Sequence, residues 1–332
     1  MKGYRTHQAE YGKRQSVDRD RNQLRPLLFP SCRLPYAVCR LLALAALSLL
    51  AVASPAAAES RIEKTLELQP KGQFILDADA GSVSVTGTSR PGAHVVITSD
   101  RNDLNTEFEF NFEGSAGLAR VTARHKHDFG WSHGVSLHFE VEVPTETRTD
   151  LRTGGGSIKL SGLRGESDLK TSGGSIEVSG LNGILQAHTS GGSIRIREVT
   201  GDTRVETSGG SIDVESVEGS LRAHTSGGGI HVERVTGYLE AKTSGGPIRA
   251  SYSRGNSHGG ELETSGGSIE VAIDPSANLN LDASTSGGSV STDLPLRVVG
   301  TISHSSLHGS LGSGGEELRL HTSGGSIHIR AL

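Results

Sequence analysis

Thr171-Ser172-Gly173-Gly174-Ser175-Ile176 is one copy of a motif that recurs with small variations from Thr153 to Ile327. Its leading threonines are Thr153, Thr171, Thr189, Thr207, Thr225, Thr243, Thr264, Thr285 and Thr322, so the steps are 18, 18, 18, 18, 18, 21, 21 and 37 residues. The last step has the length of about two units with a decayed marker between them. A fixed period of ~20 residues is the mark of a solenoid, in which each unit buries its face against its neighbours.

Aligned by column, the copies show how. After the glycine pair comes an apolar column of Ile158, Ile176, Ile194, Ile212, Ile230, Ile248, Ile269, Val290 and Ile327, followed two places on by Leu160, Val178, Ile196, Val214 and Val232. That spacing is one face of a strand. A turn with Gly165, Gly183, Gly201, Gly219 and Gly237 leads into a second alternating run, such as Leu185, Ala187, Thr189, which points the repeated threonine inward. Lys159, Glu177, Arg195, Asp213, His231, Arg249 and Glu270 then form an outward column that mostly alternates in sign. Parallel stacking in register sets such neighbours ~4.8 Å apart. The glycines of the motif read as supplying positive φ at the corners.

The predicted fold is all-β: a single-chain, mainly parallel β-solenoid of about nine rungs of about 18 residues each, with an irregular, aromatic-rich β cap at its N-terminal end. Every phenylalanine after residue 58 lies between Phe74 and Phe139, together with the single tryptophan, Trp131. Three segments result: 1–58 as a signal peptide with a long basic leader, 59–150 as irregular cap and first rungs, and 151–332 as solenoid repeats. The chain stops at Ile327-His328-Ile329-Arg330-Ala331-Leu332, partway through a rung, and an open strand edge there is a template for end-to-end self-association.

Residues 1–40 hold nine Lys or Arg against three acids, Leu41–Ala53 is an uncharged Leu/Ala run, and Ala56-Ala57-Ala58 suits cleavage. The run is shorter than the ~20 residues that span a bilayer, so no permanent membrane anchor is expected once it is cleaved. Both cysteines, Cys32 and Cys39, precede that run, which leaves the mature chain without a disulfide or a thiolate metal site. Cleavage after residue 58 leaves 24 Lys and Arg against 34 Asp and Glu, an acidic balance that excludes nucleic acid as an expected partner.

Four readings of the residues invite chemistry. Gly130-Trp131-Ser132-His133-Gly134 matches the G-x-S-x-G nucleophile elbow, but a strict strand alternation over Val135–Val143 follows it where that motif needs a helix. His125, His127, Asp128 and His133 crowd one loop and are weak metal-ligand candidates. His188, His224 and His321 share an outward column with Lys170, Glu206, Lys242 and Glu263, two or more rungs apart and so too distant to share a metal. Tyr252, Arg254, His258 and Glu261, in enlarged rungs, could line a groove. No catalytic residue and no cofactor are assigned.

The string T-S-G-G-S-I-x-V followed by V-x-G-x-L-x-A, with the lead-in Phe139-Glu140-Val141-Glu142-Val143-Pro144, resembles a large family of exported bacterial β-strand repeat proteins labelled as candidate adhesins, of uncharacterised function. The resemblance covers roughly residues 70–332. It implies a β-solenoid in the bacterial envelope or outside it, in the periplasm or at the cell surface, and supplies no site residues. The expected function is a non-enzymatic envelope or surface scaffold whose partner is an envelope polymer or a protein ligand. The alternative is a carbohydrate-active enzyme that works on an envelope polysaccharide from a β-helix scaffold.

Overall fold

The structure is a computed structural model that describes residues 60–100, 104–126, 137–298 and 303–332. Each repeat folds as two strands joined by the Ser-Gly-Gly-Ser corner. Leu185–Thr189, for example, is followed by Ile194–Thr200, and the next repeat by Thr203–Thr207 and Ile212–Val214. The first strand of every pair joins one sheet, here the threonine sheet, and the second joins the other, the isoleucine sheet; each has 14 strands. Pairing is parallel and in register at 18 residues, so that Leu185 lies opposite Thr203 and Ile194 opposite Ile212. The rung therefore has two main faces.

Alternation decides what is buried. Ile158, Ile176, Ile194, Ile212, Ile230, Ile248, Ile269 and Ile327 are at most 2% exposed, and the second column from Leu160 to Ile329 is buried as well. A third column, Leu163, Leu181, Val199, Val217 and Val235, is also buried. It follows a bend at Gly162, Gly180 and Glu198, with φ of 66, 62 and 53°. Glu198 thus sits in a left-handed conformation that two neighbouring rungs assign to glycine. The charged column faces out: Glu177 lies opposite both Lys159 and Arg195, and Arg195 opposite Asp213. Exposed pairs of this kind contribute little each, about 0.2–1 kcal/mol.

The repeated threonines explain the corners. Thr189 Oγ1 donates to the carbonyl of Gly174 in the rung before at 2.8 Å, and accepts the N–H of Gly192 at 3.3 Å. The same pair of bonds recurs at Thr171, Thr207, Thr225 and Thr243. The second glycine of each pair is required by close approach: a Cβ on Gly192 would lie 2.0 Å from the Gly174 carbonyl oxygen, whereas one on Gly191 would meet nothing nearer than 3.6 Å. Positive φ belongs to the other corner, at Gly165, Gly183, Gly201 and Gly219. The expectation that the Gly-Gly pairs supply it is corrected: they supply space.

Stack order departs from chain order at both ends. Phe74 to Thr88 pairs on one side with Arg148–Ser161, its successor in the repeat, and on the other with the rung built from Leu118–His125 and Leu137–Pro144. Beyond that rung, Ala93–Ser99 and Ser60–Leu66 extend the isoleucine sheet antiparallel, and Phe108–Gly114 closes the threonine sheet antiparallel. Phe108, Phe110 and Phe112 line this cap with ring centroids 6.1 and 6.5 Å apart. A short helix, Leu104–Glu107, leads into it. The 59–150 segment therefore holds two full rungs as well as the cap, and the described residues form eleven rungs, against the nine expected.

At the C-terminal end the last rung, Glu316–Thr322 with Ile327–Ala331, does not close the stack. It lies between Gly260–Ile273 and Leu279–Thr292. The threonine bonds follow this order: Thr322 donates to Gly267 O and Thr285 to Gly325 O, both at 2.7 Å. Beyond Leu279–Thr285, Ser306–Leu311 and Arg297–Val298 pair antiparallel as a second cap. Two expectations are corrected. The 37-residue step is one rung plus a cap, and the final half rung is an interior strand with neighbours on both sides, so it offers no open edge.

Candidate functional site

The threonine sheet turns two outward columns to solvent, and where they meet the Ser-Gly-Gly corners they frame a groove of about 450 Å³. Strand alternation sets one wall, because residues preceding the inward threonines must face out: His188, Glu206, His224, Lys242 and Glu263, one from each successive rung. The corner sets the other wall with Ser208, Ser226, Ser244 and Ser265. Those serines are exposed, and among the described residues their hydroxyls accept and donate no side-chain hydrogen bond. They repeat at the ~4.8 Å strand spacing.

The charged wall is fixed from within. Lys242 Nζ lies 2.7 Å from Glu261, 3.5 Å from Glu263 and 3.9 Å from Glu240. Its hydrogen bond to Glu261 leads the causes that raise the ammonium above its usual range. Glu240 in turn takes His224 Nε2 at 2.9 Å and Arg222 Nε at 3.3 Å. His188 Nδ1 stands 3.7 Å from Glu206. The wall therefore presents oriented charges of both signs, and the serine row presents uncommitted hydroxyls beside them.

His188 and His224 share the column with Glu206 between them, as their spacing implies; the interleaved last rung adds His321 next to Glu263 and opposite Ser284, whose Oγ is 3.0 Å from His321 Nδ1. Of the four metal-ligand candidates, His127, Asp128 and His133 lie outside the described residues, as does Ser132. His125 is committed to packing and pairing: its ring centroid is 4.2 Å from that of Phe108, and its Nδ1 is 3.7 Å from Asp79. No group of three or more His, Cys, Asp or Glu side chains suited to a metal occurs among the described residues.

The enlarged rung does not open a cleft. Tyr252 is 1% exposed and its hydroxyl meets the Gly259 carbonyl at 3.5 Å, so it fills the core beside Gly260, where neighbouring rungs place Leu239 and Leu318. Burial pushes its phenol up. The expectation that Tyr252 lines a groove is corrected on that ground. Glu261 points outward to Lys242, and Arg254 and His258 are exposed. Sequence reasoning missed Asn256, which pins the insertion: its Nδ2 donates to Val235 O at 2.8 Å and Gly237 O at 3.2 Å, and its Oδ1 accepts the His258 N–H at 2.8 Å. An amide in a Gly-rich insertion was the available signal.

Among the described residues, hydrogen bonding holds two carboxyls below the usual carboxylate range. Partial burial pushes Asp79 up, but the His125 backbone N–H and the Arg124 guanidinium outweigh it and the net shift is down. The N–H and hydroxyl of Ser276 and the N–H of Gly255 lower Asp274.

Residues 183–330 match the family model described as Toastrack DUF4097. The repeats from Gly183 onward are similar to that family. The groove-lining residues from His188 to Ser265 all fall within the matched segment, while the N-terminal rungs and cap precede it. Among solved structures, a candidate adhesin from Bacteroides fragilis NCTC 9343 is 10% identical over 82% of this chain and 97% of its own, at a TM-score of 0.41. A candidate lipid binding protein from Parabacteroides distasonis ATCC 8503 is 12% identical over 82% and 97%, at 0.40. A candidate cell adhesion protein from Clostridium sporogenes ATCC 15579 is 10% identical over 82% and 100%, at 0.25. No curated protein matches the chain. No helix among the described residues is long and apolar enough to cross a membrane.

Proposed function

We propose that this chain is an exported, non-enzymatic surface scaffold that holds an extended polar polymer or protein strand along the groove of its threonine sheet. The observation that carries the reading is the pairing of an uncommitted serine row with a fixed mixed-charge wall, repeated rung by rung. A ligand with regularly spaced polar groups could match that repeat, and mixed charge favours neither a polyanion nor a polycation. Export is supported by the basic leader, the Leu/Ala run and the alanine-rich cleavage sequence that precede residue 59.

The test is binding of the protein to a panel of envelope polymers and to whole bacterial cells, with released sugars and peptides assayed in the same samples. The expected result is retention without turnover, weakened at least tenfold when Lys242→Glu and Ser226→Asp are combined. Hydrolysis of one polymer, abolished by a single substitution, would establish the carbohydrate-active alternative in its place.

A further inference from the structure

We propose that the C-terminal rung, Glu316–Ala331, is exchangeable between copies, so that two chains form a dimer in which each fills the other's slot between Gly260–Ile273 and Leu279–Thr292. The partner is a second copy of this chain, and the surface is the pair of rung faces that flank the slot. This stands independently of the groove reading.

Three observations carry it. First, the rung is out of order in the stack: it is inserted between two rungs that are consecutive in the chain, so the slot it fills is bounded on both faces by strands that fold without it in sequence. Second, what holds it is generic to the repeat. Its two neighbours are paired in register, with Thr264 and Thr285 both opposite Thr322, and Ile269 and Val290 both opposite Ile327. The Ile269 N–H donates to Ser326 O at 3.0 Å and the Ile327 N–H to Ser289 O at 2.8 Å. Arg330 Nε adds a bond to Glu270 at 2.9 Å. A second copy supplies every one of these contacts unchanged.

Third, the segment that leads into the rung is built as a hinge. Ser306–Leu311 lies on the far side of Leu279–Thr285 from Glu316–Thr322, so Gly312-Ser313-Gly314-Gly315 must cross over that strand. Gly312 and Gly314 have φ of 61 and 76°, and the crossing is held by side-chain contacts to Asn278 and Asn280: Ser313 N–H to Asn278 Oδ1 at 2.9 Å and Asn280 Nδ2 to Gly315 O at 2.7 Å. Exchange of an identical element between protomers is a low-cost route to a dimer, and hinge loops are where it occurs. Opening this one replaces an intramolecular insertion with an identical intermolecular one.

The test uses the full chain with Cys32→Ser and Cys39→Ser as background. Glu270→Cys with His328→Cys places a thiol pair across the slot, at outward positions that are register partners; Glu177→Cys with Arg195→Cys is the control between rungs consecutive in the chain. Each is unfolded, refolded over a hundredfold range of protein concentration, oxidised and run without reductant, while sedimentation reads the size of the cysteine-free chain refolded alongside. The expected result is a disulfide-linked dimer for the slot pair that grows with concentration, a control pair closed within monomers, and a cysteine-free dimer over the same range. A slot pair closed only within monomers, a control pair that cross-links chains equally, or a cysteine-free chain that stays monomeric throughout would each overturn the proposal.

Discussion

The four letters Thr-Ser-Gly-Gly divide their labour, and the division can be measured one atom at a time. The threonine bonds the corner to the rung before, the serine faces solvent, and only the second glycine lies against another backbone. Adding a methyl at Gly192 brings it 2.0 Å from the Gly174 carbonyl oxygen, and adding one at Gly191 leaves ordinary contact. Gly192→Ala is therefore expected to lower stability by about 3 kcal/mol, and Gly191→Ala to change it by no more than about 0.5 kcal/mol. Denaturant unfolding of the two variants checks this, and equal losses would mean that both glycines serve a shared conformational need. The inward threonine was legible in the sequence because period-two alternation fixes direction. The separate roles of the two glycines were not, since a contact made by one backbone on another leaves no trace in composition.

Single strands and loops show where periodicity stops being informative. The 18-residue steps fixed register throughout the middle of the stack because each residue there meets its own equivalent. The insertion after Tyr252 has no equivalent, and its anchors, Tyr252 inside and Asn256 beneath the loop, follow from the local loss of Leu at Gly260. The junction of Gln73–Ala78 with Leu118–His125 likewise carries contacts that the regular rungs do not repeat. Asp79 there accepts the His125 N–H at 2.9 Å and Arg124 Nη1 at 2.7 Å. Because its folded pKa lies below the ordinary 3.8, its stabilising effect is fully present above that value and is lost as pH falls through the lower, folded value. Thermal midpoints of the natural chain and of Asp79→Asn are expected to differ most at and above pH ~5 and to converge below pH ~3.8. A gap that widens with acid would reverse the sign of the linkage.

At the scale of the whole molecule, the sequence showed that rungs stack but not the order in which they do so. The reason is physical: the rungs share one register and the same apolar columns, and from Thr153 onward the same threonine bond, while Ala78 and Ala123 take that place in the two N-terminal rungs, so many pairs of faces are compatible. Order at the ends is then decided by the linkers and by the antiparallel segments that cover the outermost strands. One consequence can be measured directly. In a sequentially wound solenoid the last strand frays first, whereas here Ile327 and Ile329 are 0% exposed between two neighbours. Hydrogen exchange at the amides of Ile327 and Ile329 is expected to be as slow as at Ile194 and Ile196, within about tenfold. Fast exchange confined to residues 327–331 would place that strand at an edge.

The matched corners also bear on how such a gene can change length. Antiparallel segments cap the stack beyond rungs that pair out of order, and from Thr153 to Thr243 the units repeat every 18 residues with boundaries that superimpose on one another. Recombination between two misaligned copies of the repeat would add or delete one complete turn, in frame and in register, without disturbing either cap. The middle of the molecule is thus the part that inheritance can lengthen or shorten at the least structural risk, and the groove would grow or shrink with it by one serine and one charged residue per event.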